Sequence, residues 1–261
     1  MKLTFLGTGT SQGVPVILEP VPPTLDLNDR RNWRNRCCAH LEIDGAHLQI
    51  DAGQEFRMAC LAYGVPAVDY FFLTHEHSDH ILGMDDLRQF CRSRDGNAIP
   101  VYSTWEGCRR VEMIFDYAIR ARSHDGYMAL QTFVAPEEFV LPSGTRVQTC
   151  LLPHGRVQTL GLVFTEAATG RRIAYYTDCH DLTPEAMRLA RGADLLVLDA
   201  LHQKPHPTHL HIAKAVKIAQ ELGAKETYFT HLTRSVNHAS VDAQLPEDIH
   251  LAYDGLVVTG E

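Results

Sequence analysis

Apolar positions along the chain fall into short runs separated by turn-forming residues, the pattern of buried strands. Lys2 to Leu6, Ala39 to Ile43, His47 to Ile50, Tyr70 to Thr74, Arg146 to Leu152, Leu160 to Thr165, Arg172 to Thr177, Leu195 to Leu198 and Thr227 to Thr230 each read as a strand. Helical spacing lies between them. Val111, Ile114, Phe115 and Ala118 share one helix face, as do Ile212, Ala215, Val216 and Ala219, with Gly223 placed to stop the second helix. Thr183-Pro184-Glu185 offers a threonine cap followed by proline at the first helical position, and Gly192 closes that segment. This alternation predicts a layered α/β fold with mixed sheets. Glu19 to Arg36, where three prolines precede Arg30, Arg31, Arg34 and Arg36, reads as a surface loop of ion pairs.

Several strands end on a metal-capable residue. Phe71-Phe72-Leu73-Thr74 runs into His75, Cys150-Leu151-Leu152-Pro153 into His154, Ala174-Tyr175-Tyr176-Thr177 into Asp178, and Tyr228-Phe229-Thr230 into His231. Sites in layered α/β proteins form beyond strand ends, so distant residues of this kind can meet at one edge. The densest cluster is His75-Glu76-His77-Ser78-Asp79-His80, with four ligand types in six residues. His75 and His77, two apart in an extended loop, can face one ion; Asp79 and His80, at the turn that follows, can face a second. Imidazole and carboxylate donors suit Zn²⁺, and also Mn²⁺ or Fe²⁺. A water between two such ions loses a proton near neutral pH and becomes a nucleophile.

Composition narrows the classes. A chain of 261 residues, 45% hydrophobic, suits a single α/β domain spanning residues 1–261, and no apolar run approaches the roughly 20 residues of a membrane span, so a cytoplasmic protein without a membrane partner is expected. Seven cysteines without a C-x-x-C pair predict reduced, packed thiols. A formal charge of -8 argues against an extended nucleic-acid footprint, which needs a basic face.

His75-x-His77-x-Asp79-His80, followed by single His154, Asp178 and His231 at long spacing, resembles the metallo-β-lactamase superfamily over nearly the whole chain. The resemblance implies an αββα sandwich of two mixed β-sheets flanked by helices. It also implies a dinuclear site in which His75, His77 and His154 hold one divalent ion, Asp79, His80 and His231 the other, and Asp178 bridges. The opening Phe5 to Pro15, and Leu198-Asp199-Ala200-Leu201 ahead of Pro205-His206-Pro207-Thr208-His209-Leu210, are similar to the phosphoribosyl 1,2-cyclic phosphodiesterase group. That similarity implies hydrolysis of a small, phosphoribosyl-type phosphodiester, with Asp79 and His209 in catalytic roles. His209 also has independent logic as a general acid, because the start of the helix running to Leu222 would favour a phosphate. Arg88 and His206 are candidates for substrate contact.

The group's cysteine-rich loop and its partner histidine have no counterpart in Val16 to Arg36 or Leu232-Thr233-Arg234, so no structural zinc is expected, and Cys37 and Cys38 read as strand packing. Gly7, Gly9 and Gly13 do not fit a dinucleotide fingerprint and read as a turn near the site. The polar stretch Arg122 to Tyr127 reads as a border of the pocket. Two enzyme alternatives stand beside the leading one: a tRNA 3′-processing endonuclease, whose opening and metal motifs look similar but whose basic arm has no equivalent here, and a lactonase or thioesterase. A noncatalytic metal-binding scaffold ranks last, since all seven ligands are present. Related proteins often pair as homodimers, although no apolar stripe marks an interface.

Overall fold

The computed structural model describes residues 1–122 and 127–260; Ser123 to Gly126, within the expected pocket border, lie outside the described residues. The strands are β1 (Lys2–Gly7), β2 (Cys38–Ile43), β3 (Ala46–Ile50), β4 (Tyr70–Phe72), β5 (Ile99–Ser103), β6 (Leu130–Val134), β7 (Glu138–Val140), β8 (Arg146–His154), β9 (Val157–Thr165), β10 (Arg172–Tyr176), β11 (Leu195–Asp199), β12 (Glu226–Thr230), β13 (Ile249–Leu251) and β14 (Val257–Thr259). They form two seven-stranded sheets, ordered β14-β1-β2-β3-β4-β5-β6 and β13-β12-β11-β10-β9-β8-β7. Both follow one rule. Three antiparallel pairings, β14 to β3 in the first sheet and β7 to β10 in the second, give way to three parallel ones.

The side-chain period of two sends alternate residues to opposite faces. Leu3, Phe5, Leu41, Leu48 and Phe72 of the first sheet meet Val147, Leu162, Phe164, Tyr175 and Val197 of the second in a core between the sheets. Phe72 and Phe164 pack edge to face there, with ring centroids 5.2 Å apart. Each such side chain, fully buried, contributes roughly 1.5–3 kcal/mol relative to exposure. The outer faces are covered by helices. α1 (Phe56–Tyr63), α2 (Ser78–Ile81), α3 (Leu87–Ser93) and α4 (Trp105–Ile114) place Phe56, Ile81, Leu87 and Val111 on the first sheet. α5 (Pro184–Ala190), α6 (Ile212–Leu222) and α7 (His238–Asp242) cover the second through Leu189, Ala215, Leu222 and Val241. The expected αββα sandwich is therefore the observed fold.

Local signals explain the helix ends. Thr183 Oγ1 accepts from Ala186 N at the start of α5, and Gly223, at φ 62°, ends α6 in the left-handed region that favours glycine. The apolar face at Val111 is helical only to Ile114; Ala118 belongs to a separate 3-10 turn, Asp116–Ala118, because Phe115 leaves helical geometry. The segment Glu19 to Arg36 needs a firmer correction. Asn32 and Arg34 are buried, and the Arg34 guanidinium donates to the Thr233 and Val236 carbonyls and to Asn32 Oδ1. Those three acceptors satisfy most of a buried cation's donors, which lets an arginine sit inside the fold.

Gly7 and Gly9 also serve packing. A Cβ on Gly7 would lie 1.9 Å from the Arg36 carbonyl oxygen, and one on Gly9 2.9 Å from Arg34 Cβ, so these glycines admit the Arg34 to Arg36 backbone against β1. All seven cysteines are free thiols, and Cys37 and Cys38 are buried in packing positions. No helix among the described residues is long and apolar enough to cross a membrane.

Candidate metal centre

The parallel halves of both sheets end at the same edge of the sandwich. β4 leads through Leu73 and Thr74 to His75; β10 leads through Thr177 to Asp178; β12 leads directly to His231; and β8 ends on His154 itself. His75 and His77 follow in extended chain, whereas Asp79 and His80 fall in α2. The ligand atoms of His75, His77 and His154 lie within 4.8 Å of one another, as do those of Asp79, His80, Asp178 and His231. Asp178 Oδ2 is 3.1 Å from His231 Nε2, 3.4 Å from His80 Nε2 and 3.9 Å from His75 Nε2. It therefore stands between the two groups.

The donor set fits cations on its own chemistry. His231 Nδ1 is buried without a hydrogen-bond partner, a state that costs about 1–3 kcal/mol unless something else meets it, and His80 Nε2 and His231 Nε2 face Asp178 without hydrogen-bond geometry. Other ring nitrogens are committed in a way that leaves the inward one free. His80 Nδ1 donates to Asp51 Oδ2 at 2.7 Å, and His154 Nδ1 donates to the Thr208 carbonyl at 2.9 Å. Asp51 is itself held by the Thr74 N–H and hydroxyl, both at 2.8 Å. Fixing the far nitrogen in this way sets the tautomer of a metal-binding histidine.

Electrostatics follow from burial and from three crowded carboxylates. Burial opposes charge on His80, but Asp178, Asp51 and Asp79 overcome it and raise its pKa well above the ordinary value. Burial likewise opposes ionisation of Asp178 and Asp79, yet the histidines beside them hold both carboxyls below the usual range. His75 and His154 are pushed down by desolvation, His154 to about 4, so both present neutral imidazole, the form that binds a metal.

A cleft of about 310 Å³ opens over this cluster, lined by His77, Asp79, His154, Asp178, His209 and His231, and also by Ser11 and Arg156. His209 lies before the first residue of α6, with His211 as the cap, so it is outside the helix rather than at its first turn. What holds it is Asp199: the Nδ1 to Oδ2 distance is 2.7 Å, and the ring stacks on His231 at 4.6 Å. Burial pushes Asp199 up and His209 down. With two protons between them, as ion pair or neutral pair, His209 keeps an N–H at Nε2; with one, the proton lies between Nδ1 and Asp199 and Nε2 is a lone pair.

Arg88 does not line the cleft; it pairs with Asp85 at 3.2 Å, the outcome its acidic neighbours in sequence favour. His206 stands at the rim, exposed, its ring 5.3 Å from that of His209. The charged loop is tied down by Arg31 to Asp29 and Arg36 to Glu55. Sequence reading missed Asp51 and Asp199. Both follow the same signal as the ligands, since Leu48-Gln49-Ile50 ends at Asp51 and Leu196-Val197-Leu198 at Asp199.

Comparison with known proteins adds four findings. Residues 48–232 match the beta-lactamase superfamily domain. The crystal structure of a diphosphatase from the PhnP family superposes with a TM-score of 0.88 at 34% identity, covering 100% of this chain and 98% of that one. Among curated proteins, an octanoyltransferase of Porphyromonas gingivalis is 30% identical over 263 residues, 98% of this chain and 51% of that protein, so the chain spans about half that relative's length. A ribonuclease Z of Haloarcula marismortui is 25% identical over 314 aligned positions, 100% of this chain and 94% of its own length. An alignment of 314 positions exceeds the 261 residues here, so that ribonuclease carries insertions this chain lacks.

Proposed function

The chain belongs to the beta-lactamase superfamily, and from that membership we propose that it is a two-metal hydrolase of small organic phosphodiesters. His75, His77 and His154 would hold one divalent ion, and Asp79, His80 and His231 the other, with Asp178 shared. Bound there, Zn²⁺, Mn²⁺ or Fe²⁺ would supply charge neutralisation for phosphoryl oxygens and acidify water near neutral pH.

The observation that carries the reading is the Asp199–His209 pair beside Asp178. Hydrolysis of a diester expels an alkoxide, which needs a proton, and His209 in the cleft would supply it from Nε2 when the Asp199–His209 pair carries two protons. Asp199, fully buried, fixes the ring so that this nitrogen is the one left for substrate. A phosphomonoester leaving group asks for the same proton, but its extra charge makes it the poorer fit to a cleft that already contains Asp79 and Asp178. The cleft volume suits a single small molecule. Arg156 is the one lysine or arginine among the described residues that line it, which favours a substrate of modest charge over a polyanionic strand.

The similar diphosphatase makes a phosphoanhydride the first alternative substrate within phosphoryl transfer. The ribonuclease Z relative supports a second reading, cleavage near an RNA 3′ end. The net charge of -8 and the shorter chain favour the small substrate. Metal content of the purified protein, followed by rates on bis(p-nitrophenyl) phosphate, p-nitrophenyl phosphate, a nucleoside diphosphate and a precursor tRNA, separates these. The diester is expected to be cleaved fastest; a faster precursor tRNA cut at equal enzyme concentration reverses the order.

A further inference from the structure

We propose that His40, Glu42 and His47 form a separate binding site for a divalent transition-metal ion on the outer face of the first sheet. β2 and β3 pair antiparallel with Glu42 opposite His47 and His40 opposite Gln49. Their neighbours Leu41, Ile43, Ala46 and Leu48 point into the core between the sheets, so these four polar side chains share the other face. The strand pattern His-x-Glu with a histidine across from it sets two nitrogens and a carboxylate together, and one donor atom from each of the three residues lies within 4.8 Å of the other two.

The tautomer of His40 is fixed by its surroundings. Gln49 Nε2 donates to the carbonyls of Asp51 at 2.7 Å and Ile50 at 3.3 Å, so its Oε1 is turned toward His40 Nδ1, 3.3 Å away. His40 therefore carries its proton on Nδ1 and presents a lone pair at Nε2. That lone pair faces His47 Nδ1 at 3.2 Å. An oriented imidazole whose far N–H is bound to an amide oxygen is the arrangement of a metal ligand supported from behind. Burial keeps His40 neutral, its pKa depressed to about 4, so no proton competes at Nε2.

Access is open. Glu42 and His47 line a surface cavity of about 470 Å³ together with Lys2, leaving room for water to complete the coordination of two nitrogens and an oxygen. Without an ion, the same groups satisfy one another: His47 Nδ1–H donates to His40 Nε2, and Lys2 Nζ sits 2.7 Å from Glu42 Oε1. Binding requires two local changes. The proton on His47 Nδ1 moves to Nε2 so that Nδ1 can face the ion, and the Lys2 ammonium, on a half-exposed flexible stem, withdraws from Glu42. The donor set suits Zn²⁺, Ni²⁺ or Cu²⁺ above Mg²⁺ or Ca²⁺. None of the three ligands touches the cluster at the strand ends, so the site stands independently of the proposed hydrolase.

The test is zinc stoichiometry of the holoprotein. Wild type, His47→Gln and Glu42→Gln are equilibrated with the same free Zn²⁺ and freed of loose ion by gel filtration, then assayed for zinc per chain and for hydrolysis. Wild type is expected to retain one more zinc per chain than His47→Gln, with hydrolysis unchanged, and Lys2→Met to hold that additional zinc more tightly. Glu42→Gln, at a half-exposed position, is expected to lose the same zinc. Equal zinc in wild type and both variants overturns the proposal, as does a loss that tracks a fall in melting temperature of the ion-free variants.

Discussion

Asp51 Oδ2 lies 2.7 Å from His80 Nδ1, with both side chains fully buried and Thr74 closing the other side of the carboxylate. The carboxylate directly follows β3 and the histidine lies in α2, beyond β4, so the ends of two parallel neighbours fix one ring. Asp51→Ala is expected to weaken metal binding about 10- to 100-fold, in line with the loss of other supports behind a ligand. Competition with a chromogenic chelator measures it. An unchanged dissociation constant would assign Asp51 to packing alone.

His209→Ala is expected to lower kcat on a diester by about 10²–10⁴-fold while zinc per chain stays at the wild-type value. Asp199→Asn should give a smaller fall and alter the acidic or basic limb of the pH–rate profile, since it changes what holds His209 Nδ1. The informative contrast uses substrates with leaving groups of different basicity. A good leaving group needs little protonation, so the His209→Ala defect should shrink toward wild type with p-nitrophenolate and widen with an alkyl alkoxide. A defect of the same size for both would remove the proton from His209's role.

Gly7→Ala places a methyl carbon 1.9 Å from the Arg36 carbonyl oxygen, which forces β1 and the Arg34 to Arg36 segment apart. The expected loss is about 1–3 kcal/mol of stability, read from urea unfolding. Because Arg36 Nε donates to the Ser11 carbonyl and Ser11 lines the cleft, KM should rise as well.

Much of this was legible in the chain because one physical rule repeats. A strand buried on both faces is a short apolar run, and its last residue is where a side chain first meets the sheet edge. That rule gathers His75, His154, Asp178 and His231 from four distant segments. Asp51 and Asp199 obey it too, but each bonds a histidine rather than joining a dense motif, and a lone aspartate after a strand reads equally well as a turn residue. β5 went unread because Pro100 interrupts it. Its pairing with β4 involves only Val101 and Tyr102, so the missing N–H falls outside that ladder. β7, β13 and β14 have three residues each and sit at sheet edges, too short for a period to show. The burial of Arg34 depends on carbonyls some two hundred residues away, at Thr233 and Val236, which no local pattern reports.

The pH dependence of stability has a defined sign at His40. Its folded-state pKa is depressed by burial to about 4 from an ordinary 6.5, so the unfolded chain binds more protons in between. Its contribution is complete above pH 6.5 and is lost as pH falls toward 4. Relative to His40→Gln, the wild-type protein in chelator should lose on the order of 2 kcal/mol between pH 7 and pH 5. Parallel urea curves for both proteins supply the difference; identical pH slopes would contradict the assignment.

The repeated ladder rule of the two sheets has a mechanical consequence. The segment after β4, in the first sheet, running into α2, would contribute His75, His77, Asp79 and His80, whereas β8, β10 and β12 of the second lead to His154, Asp178 and His231. Neither half alone owns a complete coordination set. Ions seated there would rivet one sheet to the other across the open edge of the sandwich, and their binding energy would oppose any sliding or splaying of the two halves.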